Sequence, residues 1–171
     1  MRLLQIVGEG LVPPRCAACG RGCRSGATLC TRCGRRLAFA QPIDGLGPAG
    51  IDRAWSTAAH EGVPRDLVAA LKFRRLLPVA ETMAERIHWL APASLLSGAI
   101  VPVPTARLRT WSRGFDPARE IGAALARRTG LPLEECLHRR GAGRQRGRRR
   151  HERIGHPPRV LVCAPVPRSV L

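Results

Sequence analysis

Four cysteines constrain this chain more than any other feature. Cys16 and Cys19 form one CxxC pair and Cys30 and Cys33 a second, with ten residues between them. Two CxxC knuckles on facing turns bring four thiolates to the corners of a tetrahedron, the geometry in which Zn²⁺ is held structurally. Gly20 and Gly34 follow the pairs where each knuckle is expected to turn tightly. Paired redox dithiols are the competing reading, and they need a thioredoxin-like βαβ setting that the Gly- and Arg-rich flanks do not supply. Cys23 could replace Cys19 or remain a spare thiol, and it is left out of the ligand set. Few apolar residues lie between Pro14 and Ala38. The metal must therefore hold this module together, by about 10 kcal/mol or more on the precedent of zinc fingers.

The second informative stretch is VPVPTARLRTWSRGFDPA, Val101 to Ala118. Ala99, Ile100, Val101 and Val103 are small or β-branched, which suits a short buried strand closing at Pro102 and Pro104. A loop carrying Arg107, Arg109 and Arg113 is expected next, with Gly114 where the backbone needs a conformation that only glycine takes cheaply. Asp116 and Pro117 read as the N-cap and first residue of a helix that runs to about Thr129 and stops at Gly130. Free N–H groups at a helix start and three guanidinium groups nearby favour an anion such as a phosphate. The alternative is a βα connection with solvated arginines.

Residues 41 to 50 are rich in Gly and Pro and read as a linker. Beyond them a strand is expected at Ala54 to Ala59, a helix opening at Pro64 and ending near Leu71-Lys72-Phe73, and another opening at Pro78. Met83 and Trp89 read as packing residues, and His60 and His88 as structural. Leu131 to Leu137 suit a short strand with Cys136 a buried thiol. Val160 to Val162 suit another, and Ser169 to Leu171 the beginning of one more. The net charge is +17, and Lys72 is the only lysine among 29 basic residues. A solitary Lys at a helix end suggests a specific contact. Such a balance favours polyanionic partners, although a general preference for Arg, Ala, Gly and Pro gives the same composition. Eight arginines crowd positions 139 to 153 against Glu152 alone, around Arg144, Gln145 and Arg148. Runs this dense lie over a phosphorylated ligand, contact nucleic acid or stay solvated. The short apolar start, Leu3 to Val7, is too brief for a signal peptide, and no run approaches a membrane span. A cytoplasmic location is expected, where paired cysteines are more often metal ligands than cystines.

The order of these motifs resembles the ComF family of competence-associated phosphoribosyltransferase-like proteins. The resemblance runs through Cys16, Cys19, Cys30 and Cys33, then Leu71-Lys72-Phe73, then Val101 to Pro104, eight residues, Arg113-Gly114-Phe115, and Gln145 in the Arg-rich segment. It implies an α/β fold, the parallel sheet of a type I phosphoribosyltransferase flanked by helices, behind an N-terminal zinc ribbon. The implied division is a lead at 1–12, the ribbon at 13–40, the linker at 41–50 and the transferase-like domain at 51–171. It further implies that Lys72, Arg107, Arg109, Arg113 and Gly114 face the pyrophosphate of phosphoribosyl pyrophosphate, and that Arg144, Gln145 and Arg148 contact phosphate or nucleic acid. Single-stranded DNA and other competence proteins are the implied partners.

Two departures qualify this. The family commonly writes RGFNQ where this chain has Asp116 and Pro117 after Arg113-Gly114-Phe115. The family also continues into an LVDDVxTTGxT segment whose acidic pair meets the ribose hydroxyls and whose loop cradles the 5′-phosphate with backbone N–H groups. This chain has no Asp-Asp pair and no Thr-Thr-Gly. The resemblance therefore implies an incomplete domain, truncated before that motif, in which Mg²⁺ with phosphoribosyl pyrophosphate is expected only for full-length relatives. A zinc-ribbon nucleic-acid-binding module without transferase activity is the alternative.

Overall fold

The computed structural model describes residues 14–45, 50–140 and 159–171. They form a mixed helix and strand protein of two compact units, Met1–Ala91 and Pro92–Leu171. The lead at 1–12 and the segment holding Arg144, Gln145 and Arg148 lie outside the described residues.

In the first unit, α1 (Thr31–Ala38) starts directly on the second cysteine pair. Its only buried residues, Cys33 and Leu37, are four apart and so share one face. Gly34 is thus a helical residue and not the tight turn expected of it, because the second knuckle is a helix start. β1 (Ile43–Gly45) and β2 (Ala54–Ser56) pair antiparallel, with Ile43 opposite Ser56. Arg53 donates to both oxygens of Asp44 across this hairpin. β1 lies within the stretch read as linker.

Two longer helices supply most of the apolar packing. α2 (Gly62–Arg74) buries Val63, Leu67, Ala70 and Leu71, and α3 (Pro78–Leu90) buries Val79, Ala80 and Ala84. The recurrence at three and four residues is the stripe that a helix presents to a core. α2 ends on Arg75 in the left-handed region, whose N–H returns to the Ala70 carbonyl. Arg86 reaches from α3 to the carbonyls of Ala40 and Thr57 and so ties the hairpin region to the helices. Trp89 does not pack as expected: it is 74% exposed and, among the described residues, its one ring contact is edge-on with His88.

The second unit holds α4 (Arg107–Arg113), α5 (Pro117–Thr129) and an antiparallel hairpin of β3 (Leu137–Arg140) and β4 (Arg159–Val162). Both named sheets are therefore two-stranded and antiparallel, and the extended parallel sheet implied by the resemblance is not formed among the described residues. Parallel pairing is confined to isolated bridges, Ala99 with Val170 and Ile100 with Leu133. The buried Ala99–Ile100 segment thus has a parallel neighbour on each side. The N–H of Ile100 donates to the Pro132 carbonyl at 2.8 Å, and the N–H of Leu171 to that of Ala99 at 2.8 Å. Pro102 and Pro104 have no N–H to extend the ladder, which explains its brevity. α5 lies over this segment at Gly122, where a Cβ would stand 3.0 Å from Leu133 and 3.3 Å from Ile100.

Gly98 lets the last residues approach. Its φ is +77°, and an added Cβ would sit 2.4 Å from the Ser169 carbonyl oxygen. Gly114 has a φ of +85° but open space around it. Gly98→Ala should therefore lose about 2 kcal/mol or more, combining left-handed strain with a backbone clash, whereas Gly114→Ala should lose only about 1 kcal/mol from strain. Urea unfolding of the two variants side by side checks the difference; equal losses would remove the close approach of residues 98 and 169.

Candidate functional site

The four cysteines of the paired knuckles converge. The Sγ atoms of Cys16, Cys19, Cys30 and Cys33 all lie within 4.8 Å of one another, and Cys19 and Cys30 are 3.8 Å apart. A tetrahedral Zn²⁺ with bonds of about 2.3 Å needs sulfur atoms about 3.8 Å apart, so the quartet fits a metal of this kind. The first knuckle is a reversed turn: the N–H of Cys16 donates to Arg21 O at 2.7 Å, that of Gly20 to Cys16 O at 2.9 Å, and Gly20 has a φ of +73°. The second pair sits on the start of α1, with Cys30 as its N-cap. Cys23 stays apart, its thiol donating to the Ala27 carbonyl at 3.2 Å.

The thiols are unequal. The backbone N–H and guanidinium of Arg21 hold Cys19 down at about 6. Burial opposes ionisation of Cys16, but the N–H groups of Cys19, Cys30 and Ala18 outweigh it and lower its pKa. Burial, joined by the neighbouring thiols, pushes Cys33 up to about 12. A divalent cation lets all four lose their protons together, and metal affinity therefore falls as pH falls. Titrating the apo protein with Co²⁺ should give the visible bands of a tetrahedral thiolate site at one metal per chain. Those bands should weaken on acidification and be lost in Cys33→Ser; octahedral spectra at neutral pH would contradict the site.

The second unit carries a cleft of about 580 Å³. Arg107, Gly114 and Asp116 line it together with Trp111, His138 and Arg139. The arginines lie on a helix, not on the loop that the sequence suggested. No Gly or Pro interrupts Ala106 to Arg113, and Gly114 closes the turn with its N–H on the Thr110 carbonyl at 2.8 Å. Their spacing carries no apolar stripe, which hid the helix in the sequence. Arg107 and Gly114 reach the cleft wall; Arg113 is half-buried beside Arg109, and burial lowers its pKa. Lys72 is exposed on α2 in the first unit.

Asp116 turns out to be the organising residue of this cleft. Its carboxylate accepts from the Ala118 N–H at 2.9 Å, from the Thr105 N–H at 2.6 Å and from the Thr105 hydroxyl at 3.0 Å. The helix start expected to offer free N–H groups to a ligand is thus occupied in part by its own cap. Thr105 was missed because its partner lies eleven residues away, beyond any local pattern. Nearby, Arg119 pairs with Glu135 at 2.6 Å. Asp116→Ala should cost about 1–2 kcal/mol by removing the cap and leaving the Thr105 N–H unpaired, with Asp116→Asn recovering part of it. Thermal unfolding measures both, and an unchanged Asp116→Ala would show the clasp to be dispensable.

Comparison of the chain with protein-family models, curated proteins and solved structures gives no match in any of the three. Among the described residues no helix is long and apolar enough to cross a membrane.

Proposed function

We propose that this chain is a ComF-type phosphoribosyltransferase-like protein associated with DNA uptake, whose N-terminal quartet holds structural Zn²⁺ and whose second unit binds the pyrophosphate of a ligand such as phosphoribosyl pyrophosphate. One observation carries the reading: the cleft opens directly after the Ala99–Val101 segment, with Pro102, Pro104 and Thr105 in its wall. In open α/β sheets ligands sit outside the carboxyl ends of parallel strands, and the bridges flanking Ile100 are what the parallel sheet of a type I phosphoribosyltransferase would contain. Arg107 and Arg139 supply charge for the anion. Because Asp116 already takes part of the helix N-terminus, the guanidinium groups carry the binding and it is weak. The given residues hold no Asp-Asp pair to meet ribose hydroxyls, their only adjacent acids being Glu134 and Glu135, so on this reading pyrophosphate binding and not transfer is the property to test.

The second reading, a zinc-ribbon nucleic-acid-binding module, is favoured by the net charge of +17. Calorimetric titration with pyrophosphate, and with phosphoribosyl pyrophosphate plus Mg²⁺, separates the two. The first reading expects measurable binding that Arg107→Ala weakens about tenfold, since a contact from a charged donor is worth roughly 1.5–3 kcal/mol. No heat with either ligand would overturn it. Affinity for single-stranded DNA that falls linearly with the logarithm of salt concentration supports the second reading, and a flat response rejects it.

A further inference from the structure

Three cysteines lie outside the metal quartet, and two of them face each other. The β3–β4 register pairs Leu137 with Val162, and the next step outward sets Cys136 opposite Cys163. The backbone makes that step, since the N–H of Cys163 donates to the Cys136 carbonyl at 2.8 Å. Opposed residues in a hydrogen-bonded antiparallel pair stand about 5.5 Å apart at Cα and project to the same face. Disulfides span roughly 4.4–6.8 Å between Cα atoms, a range that includes this spacing, but they also need Cβ atoms about 3.5–4.5 Å apart, somewhat closer than a hydrogen-bonded pair holds them. The two sulfurs are not bonded: Cys163 is exposed with its Sγ 4.0 Å from the Glu135 carbonyl, and Cys136 is only 2% exposed. Closing the bond takes a rotamer change at Cys163 together with a small inward shift of the chain just beyond the ends of β3 and β4.

We propose that Cys163 and Cys136 form a reversible cross-strand disulfide by exchange with a small disulfide of the glutathione class. The difference in burial sets the order of steps. The Cys163 thiol, after losing its proton to water, attacks one sulfur of the small disulfide; a new S–S bond forms, the old one breaks, and one small thiol leaves and takes up a proton. Cys136, also after losing a proton to water, then attacks the Cys163 sulfur and expels the second small thiol, which is protonated in turn. Two protein thiols are oxidised and one small disulfide is reduced to two thiols. Redox-responsive cysteines are accessible and stand next to a resolving cysteine, which suits an exposed entry thiol beside a buried partner. The bond pins the base of β3, the strand that brings Leu137, His138 and Arg139 to the cleft wall. The proposal is independent of the ligand assigned to that cleft.

The test is equilibration of the zinc-loaded full chain with mixtures of oxidised and reduced glutathione, followed by acid quenching, trypsin and mass spectrometry. Cutting after arginine places Cys136 on the peptide 129–139 and Cys163 on 160–168, one cysteine each. The expected product is these two peptides linked, lacking both thiol hydrogens, and returned to free thiols by excess reduced glutathione. In Cys136→Ala, Cys163 should stop as the mixed disulfide. In Cys163→Ser, an exposed and conservative change, Cys136 should stay a free thiol. Cys163 found only as a mixed disulfide in the unaltered chain, linked to another cysteine, or unreacted would overturn the proposal. Modification of Cys136 in Cys163→Ser would overturn the order of attack.

Discussion

Convergence of four thiols does for the start of this protein what an apolar core does elsewhere. From Arg15 to Ala38 the buried residues are Cys16, Ala17, Cys33 and Leu37, and two of these belong to the cysteine quartet itself. So little apolar area offsets only part of the entropy of ordering a turn-rich segment, and a metal ion in the quartet would couple its binding to folding there. The ordered knuckles in turn fix the first helix. Cys30 and Cys33 set the start and the inward face of α1, placing Leu37 beside the cavity formed with Leu67, Val68 and Met83. Arg74, at the end of α2, donates back to the Ala17 carbonyl of the first knuckle. The quartet is thereby joined to the two apolar helices of its unit.

The second unit is held together differently. Its centre is a segment of only a few residues, Ala99 to Val101, held from both sides by backbone hydrogen bonds and covered by α5 through the missing Cβ of Gly122. Two prolines stop that segment, and the chain released beyond them is recaptured by a carboxylate, Asp116 on Thr105. A cleft results because the stop and the recapture hold a short helix, α4, away from the hairpin strand opposite. Its charges are partly engaged within the fold: Asp116 on its two backbone donors and Thr105, Glu135 on Arg119. The exposed guanidinium of Arg107 also stands in the cleft wall.

Much of the candidate site was legible because it is encoded by short-range rules. The CxxC spacing, the Asp116-Pro117 start and the Gly130 stop depend on contacts within a few residues, and each fell where expected. Cys136 was read as a buried thiol within the stretch Leu131 to Leu137, and it is buried. The misreadings arose where residue type was read without a periodic apolar signal to place it. α4 has none, so its arginines read as loop; Trp89 looked like core from its residue type alone, yet α3 points it to solvent. Gly34 looked like a turn because glycine often is one, but the helix starting at Cys30 claimed it.

The sequence by itself determined the cysteine quartet and the positions of the main helices, since cysteine spacing, capping and helical periodicity are properties of neighbouring residues. Tertiary structure alone decided which distant backbone segments met: Ile100 with Leu133, Ala99 with Val170, Thr105 with Asp116, and Cys136 with Cys163. Each of these pairings depends on a register between separated segments. A register is fixed by packing of whole faces, and one residue of slip would reverse every side chain, so no local pattern in the chain announces it.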